Sequence, residues 1–219
     1  MNFGLSEEQE MIVNTVRSFV EKEIYPHEDL VEQSAEVPRE IAQDIKQKTI
    51  DIGFYACNFP ESVGAAGLSH VDFALVEREL GRGSMALTHF FGRPQNILMA
   101  CQGTQVERYL RPAIRGEKMD ALAMTEPGAG SDVRSMACSA QRAGGDWVLN
   151  GNKHFISGAE HADFVIVFVA TGVDETPRGP KKRITTFLVD RGTPGFTIRE
   201  GYKSVSHRGY KNMILEFDN

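Results

Sequence analysis

The chain has no apolar run near the roughly 20 residues a helix needs to cross a bilayer. Its amino-terminal stretch shows neither the basic nor the apolar region of a secretory signal. A soluble, cytoplasmic protein with no membrane partner is therefore expected. Cysteine is scarce: Cys57, Cys101 and Cys138 are 3 in number and far apart, which fits no disulfide framework and no metal-ligand spacing. Each is read as a buried structural thiol. H-E-x-x-H, C-x-x-C and G-x-S-x-G are all missing, so the zinc-peptidase, dithiol and serine-hydrolase signatures are missing with them. Positive charge is in deficit, with 24 Lys and Arg against 30 Asp and Glu and a net charge of −6. The basic residues form small groups and no basic face, which argues against a nucleic-acid partner. Lys181-Lys182-Arg183 reads as a solvated loop, and the scattered histidines as structural or surface residues, with no metal site.

What is present divides in two. The first half has helical periodicity. Ser6 and Gln9 form a capping box, with Glu7 and Glu8 at the positive end of the helix dipole. Ile12, Val16, Phe19, Val20 and Ile24 then recur on one face until Pro26. A second helix runs from near Pro38 to Ile52 and stops at Gly53. After a loop rich in turn formers, Ser69 and Asp72 cap a third helix carrying Phe73, Val76 and Leu80. Further helices are expected over Gln95 to Gln102 and from a Thr104/Glu107 capping box towards Gly116.

Beyond Gly116 the period shortens. Phe164 to Ala170 is a continuous apolar, β-branched run. Trp147 to Leu149, Lys153 to Ile156, Thr185 to Val189, Phe196 to Ile198 and Asn212 to Phe217 are further strand candidates. Gly144-Gly145-Asp146 and Asn150-Gly151 are hairpin signals, and Asp174 to Lys182 reads as an exposed loop. The expected fold is α+β: an all-α domain over 1–117, then an antiparallel β-barrel or sandwich over 118–219.

One stretch invites chemistry. In Met124-Thr125-Glu126-Pro127-Gly128-Ala129-Gly130-Ser131-Asp132, Gly128 and Gly130 can take positive φ and turn consecutive amides towards one point. Thr125 and Ser131 add hydroxyls on either side. Taken alone it is equally a surface turn. It is not a dinucleotide fingerprint, because Val133 stands where a third glycine belongs and the surroundings lack alternating strands and helices. A second stretch, Asn150 to Gly158, places Phe155, Ile156 and Ser157 in an edge-like strand.

Together these two stretches resemble the flavin-binding signatures of the acyl-CoA dehydrogenases. The likeness continues in Leu5-Ser6-Glu7-Glu8-Gln9, in Phe59-Pro60-Glu61 to Ser69, and in Thr193-Pro194-Gly195. The resemblance implies FAD held non-covalently by Leu122, Met124, Thr125, Gly130, Ser131, Phe155, Ile156 and Ser157. Amides around Met124 and Thr125 would face the flavin pyrimidine edge, and Gly130 and Ser131 the pyrophosphate. Ser131 would also meet the thioester tail of the substrate. Phe155 would pack on the isoalloxazine, and Ser157 would lie near N5. Family members commonly carry tryptophan and threonine at these last two positions.

The resemblance further implies α,β-dehydrogenation of an acyl-CoA to a trans-2-enoyl-CoA, an electron-transfer flavoprotein as partner, and a homotetramer or dimer. The family's proton-abstracting glutamate lies in a C-terminal helical domain, and no carboxylate of this chain matches it. No catalytic residue is assigned, and the chain alone is expected to be inactive and to hold flavin poorly. A flavoprotein oxidase or monooxygenase, or a non-catalytic flavin- or acyl-CoA-binding relative, remains open at this point.

Overall fold

A computed structural model describes residues 4–177 and 179–219. The chain divides into two units. One takes the residues up to Lys118 together with Val205–Tyr210, and the other takes Met119–Ser204 and Lys211–Asn219.

The first unit is helical. Helix α1 (Glu7–Phe19) opens as its sequence requires, with the Ser6 hydroxyl accepting from Gln9 N and the Gln9 side chain accepting from Ser6 N. It does not end at Pro26. A π-helical turn, Val20–Ile24, shifts the hydrogen-bond register, and α2 (Tyr25–Ser34) continues with Pro26 in its first turn. Proline is tolerated there because first-turn amides have no acceptor within the helix. The five-residue turn thus lets one apolar face run from Ile12 to Val31 through a proline.

Helix α3 (Arg39–Asp51) and α4 (His70–Leu80) stand where periodicity placed them, α4 with the Ser69 hydroxyl accepting from Asp72 N. The short α5 (Met85–Thr88) follows. The expected helix over Gln95 to Gln102 is only a 3₁₀ segment, Asn96–Ala100. The last helical stretch, a π turn at Val106–Leu110 and α6 (Arg111–Ile114), is not capped by Thr104 and Glu107. The Gln105 side chain takes the Gln102 amide instead, and Glu107 pairs with Arg111. Val16, Val20, Ile24, Ile45, Leu87 and Phe91 are fully buried, with Phe19 meeting Phe91 edge-on at 5.3 Å. Glu79 is buried on α4, where Arg17 of α1 reaches it at 2.9 Å and holds its carboxyl below the usual range.

The second unit is a seven-stranded sheet: β1 (Asp120–Ala123), β2 (Ser139–Ala143), β3 (Asp146–Ser157), β4 (Phe164–Asp174), β5 (Lys181–Asp190), β6 (Phe196–Tyr202) and β7 (Asn212–Asp218). Their order is β1-β4-β2-β3-β7-β6, with β5 on the other edge of β4. The sheet is mixed and not purely antiparallel as expected, because β1, and one residue of β2, pair parallel to β4. Strand β1 enters from the helical half with no hairpin to reverse it. One core gathers Ala121, Ala140, Ile156, Val167, Val189 and Leu215, with Ile198 packed against it, so every strand contributes and the sheet curls around its own interior. Among the described residues no helix is long and apolar enough to cross a membrane.

Two further expectations are corrected. Strand β5 begins at Lys181, so Lys181-Lys182-Arg183 is paired against Val173 and its neighbours and is not a loop. And Asn150-Gly151 is no hairpin. It lies inside β3, at the point where that strand passes from pairing with β2 to pairing with β7. Gly151 has φ +129°, and a Cβ there would lie 2.8 Å from Cys138 Cα. Glycine serves close backbone approach here, not reversal.

Candidate functional site

The ladder between β3 and β7 contains the first structural device of the site. Lys153 pairs with Leu215 and Ile156 with Met213, so three steps along β3 match two along β7. One residue is in excess, and β3 bulges. In a regular strand Lys153 and Ile156 would face opposite sides. The bulge turns both inward, to 0% and 2% exposure, and pushes Phe155 out to 50% exposure with φ +56°. A large aromatic in the left-handed region is strained, and such strain gathers at functional sites. Tyr202 lies against the Phe155 ring at 4.4 Å and His154 at 4.3 Å, and His154 Nδ1 is 3.0 Å from the Tyr202 hydroxyl.

Directly inside the bulge, Lys153 Nζ donates to Glu126 Oε1 at 2.7 Å and to the Met124 carbonyl at 3.0 Å. Glu126 is only 4% exposed, and its carboxylate also accepts from Ala137 N at 2.5 Å and Cys138 N at 3.0 Å. A buried carboxylate needs such partners, because desolvating it unpaired is costly. Beside this pair, His154 N donates to the Thr125 carbonyl at 2.9 Å. The two stretches singled out in the sequence are therefore one piece of structure.

The turn itself is closed by Glu126 and Ala129, each amide bonding the other's carbonyl. Gly128 and Gly130 do not adopt the positive φ expected of them. The Glu126–Ala129 bridge reverses the chain within ordinary backbone angles, so no left-handed residue is required. A Cβ at either glycine would meet nothing within 4 Å. Their smallness answers no need of this chain's own packing and leaves the rim clear for something else. Asp132 is committed to the following 3₁₀ turn, accepting from Arg134 N and from the Ser135 hydroxyl.

The other candidates are placed as follows. Leu122 is half-buried on β1 opposite Ile166, and Met124 and Thr125 are half-buried beyond its end. Gly130 and Ser131 are exposed. Ile156 points into the core, so only its main chain is available to a ligand. Ser157 donates its hydroxyl proton to Asn212 Oδ1 at 2.9 Å, which leaves lone pairs on the outer side. Lys153, Glu126, Asn212 and Tyr202 were not anticipated as parts of the site. A carboxylate and an ammonium 27 residues apart carry no spacing signal. The available hint was a lysine amid strand residues, in phase with no charged face. Among the described residues no group of three His, Cys, Asp or Glu is placed to hold a metal.

Cys57 and Cys138 are buried and burial pushes both thiols up to about 11, whereas Cys101 is only half-buried and raised less. The reading of all three as buried is thus corrected for Cys101. Thiolate is the nucleophile, and at Cys57 and Cys138 it becomes the major form only above about 11. At pH near 8 iodoacetamide should label native protein at Cys101 alone, and all three thiols after denaturation; intact mass of the labelled protein reads the difference.

These features have counterparts elsewhere. Residues 6–117 match the model of the acyl-CoA dehydrogenase N-terminal domain, and residues 121–219 that of the acyl-CoA dehydrogenase middle domain. The chain belongs to the acyl-CoA dehydrogenase family. It is 37% identical to benzylmalonyl-CoA dehydrogenase of Aromatoleum aromaticum, over 93% of this chain and 52% of that protein. It is 38% identical to 3-(aryl)acrylate reductase of Clostridium sporogenes, over 88% of this chain and 50% of that one. A glutaryl-CoA dehydrogenase from Mycobacterium smegmatis, solved with FADH2, superposes with a TM-score of 0.83 at 29% identity, over 98% of this chain and 53% of that one. The chain spans about half the length of the curated relatives it matches.

Proposed function

We propose that this chain carries the FAD cradle of an acyl-CoA dehydrogenase that converts an acyl-CoA thioester to a trans-2-enoyl-CoA. One observation carries the reading: a turn with bare, unobstructed glycines is tied by hydrogen bonds to a bulge that holds Phe155 outward. Such a pairing suits a flat ring system with a polar edge and a phosphate tail.

FAD, when bound, supplies the hydride acceptor. Thr125 would hold the pyrimidine edge through its N–H and hydroxyl and stabilise negative charge arriving there. Gly130 and Ser131 would border the pyrophosphate, and Ser131 the thioester tail as well. Phe155 would form the wall behind the ring, with Leu122, Met124 and the Ile156 main chain completing the cradle. Ser157, its proton given to Asn212, would offer lone pairs and so accept from the N5–H that the flavin carries once reduced. No residue of this chain is assigned as the base, and the chain alone is proposed to lack turnover. Family membership supports the further proposals of a homo-oligomer and an electron-transfer flavoprotein as electron acceptor; a cytoplasmic location is proposed from the three free, widely spaced cysteines alone.

Similarity to the 3-(aryl)acrylate reductase favours a second reading, in which the same site delivers hydride to an unsaturated acyl group. Reoxidation of the reduced flavin by an enoyl-CoA would support that direction.

Flavin fluorescence titration of the chain with FAD tests the proposal. Saturable quenching is expected. Thr125→Ala should weaken it by roughly 3- to 10-fold, the worth of one ordinary hydrogen bond. An absence of saturable binding overturns the flavin reading, and turnover of an acyl-CoA by the chain alone overturns the proposed inactivity.

A further inference from the structure

We propose that Lys153 is a positioning residue for the flavin cradle: held by Glu126, its ammonium fixes the Met124 carbonyl inward and thereby turns the Thr125 amide outward as the donor for a flavin carbonyl. The inference rests on the FAD reading of this site.

The geometry follows from peptide planarity. In a trans peptide the C=O of one residue and the N–H of the next point in opposite directions. Met124 C=O points into the sheet interior, where Lys153 Nζ meets it at 3.0 Å. The Thr125 N–H of the same peptide therefore points away from the interior, and among the described residues it has no acceptor. The next peptide is fixed in its turn: Thr125 C=O accepts from His154 N at 2.9 Å, and Glu126 N donates to Ala129 O at 2.9 Å. Consecutive peptides are thus pinned by consecutive residues of β3, and one donor is left over.

Lysine suits this task for a physical reason. An ammonium offers three protons and no acceptor. Here two of them go to Glu126 and Met124, inside a site with 0% exposure. Rotation of the Met124–Thr125 peptide would leave that buried ammonium short of a partner, a costly state. A neutral apolar residue at this position would fill the space but leave the peptide free to rotate. Glu126, bonded to Ala137 N and Cys138 N, anchors the ammonium to the segment leading into β2, and the Cys138 carbonyl in turn accepts from Ala170 N of β4, so the donor is referenced to the sheet. Preorganised donors of this kind act without reorganisation when charge develops opposite them.

The test uses the chain carrying Glu126→Gln together with Lys153→Met. This double change removes both charges, keeps an acceptor for the Ala137 and Cys138 amides, and abolishes the hold on Met124. FAD affinity is read by fluorescence titration, and the bound flavin's reduction potential by dye equilibration, alongside thermal unfolding. A double variant that melts near the parent, binds FAD about 10-fold more weakly and holds it at a more negative potential supports the inference. Unchanged affinity and potential overturn it while leaving the FAD reading intact. If the parent itself does not bind FAD, both fall. A second measurement needs no variant: the Thr125 amide should exchange freely in the flavin-free parent and become protected when FAD is added. Protection before addition overturns the inference even if the double variant does not fold.

Discussion

Lys153→Met alone should lower the free energy of unfolding by about 3–5 kcal/mol, the usual consequence of stranding one member of a buried ion pair. Glu126 would keep its bonds from Ala137 and Cys138 but lose its counter-charge at 4% exposure. The Met124 carbonyl would lose its donor as well. Adding Glu126→Gln should return most of the loss, because neutral replacements of a buried pair are often close to neutral in stability. Trp147 offers a clean probe: it is the single tryptophan, and it sits on β3 with its ring 5.5 Å from Phe187, inside the β unit. Urea unfolding followed by Trp147 emission reports that unit without averaging over the helices. A loss below about 1 kcal/mol in the single variant would mean that the pair is open to water and holds nothing.

The second large effect belongs to Gly151→Ala, with an expected cost of about 2–4 kcal/mol. Part comes from the backbone, since an L-residue at φ +129° occupies territory that is nearly glycine's own. The rest comes from contact: the new methyl would lie 2.8 Å from Cys138 Cα and 3.0 Å from its sulfur, and main chain cannot swing aside as a side-chain tip can. Gly144→Ala is the matched comparison. Gly144 also has a positive φ, +63°, but a Cβ there meets nothing within 4 Å, so about 1 kcal/mol is expected. Equal losses at the two sites, read by the same Trp147 transition, would show that contact with Cys138 is not part of the cost.

The order of helices and strands was legible because it is written locally. The Ser6–Gln9 box, the Ser69 cap and the apolar spacing of α1, α3 and α4 each involve residues within a turn or two of one another. Pro26 misled because a π turn upstream changes which amide proline removes, and no single residue announces that turn. Asn150-Gly151 misled for a related reason: the dipeptide is permissive of a tight turn, but long-range pairing with β2 and β7 won, and glycine was used for proximity. At the site, Thr125, Phe155 and Ser157 were legible by resemblance. Lys153 and Glu126 were not, because a buried ion pair is a fact about which two strands meet and leaves no trace in either stretch alone.

The bulge in β3 makes chain length, more than side-chain identity, the constrained variable between Lys153 and Ile156. Many side chains fit at His154 and Phe155 as far as packing is concerned, and asparagine or glycine would suit the φ of +56° at Phe155 better than phenylalanine does. Deleting either residue is another matter. It would restore two-against-two counting with β7 and leave Lys153 and Ile156 both facing inward, but it would remove the left-handed excursion that turns Phe155 out and disturb the step at which His154 N meets the Thr125 carbonyl. This stretch is therefore a counting device for the cradle and not for the core: permissive to exchange, and spending its one surplus residue to hold an aromatic ring outside.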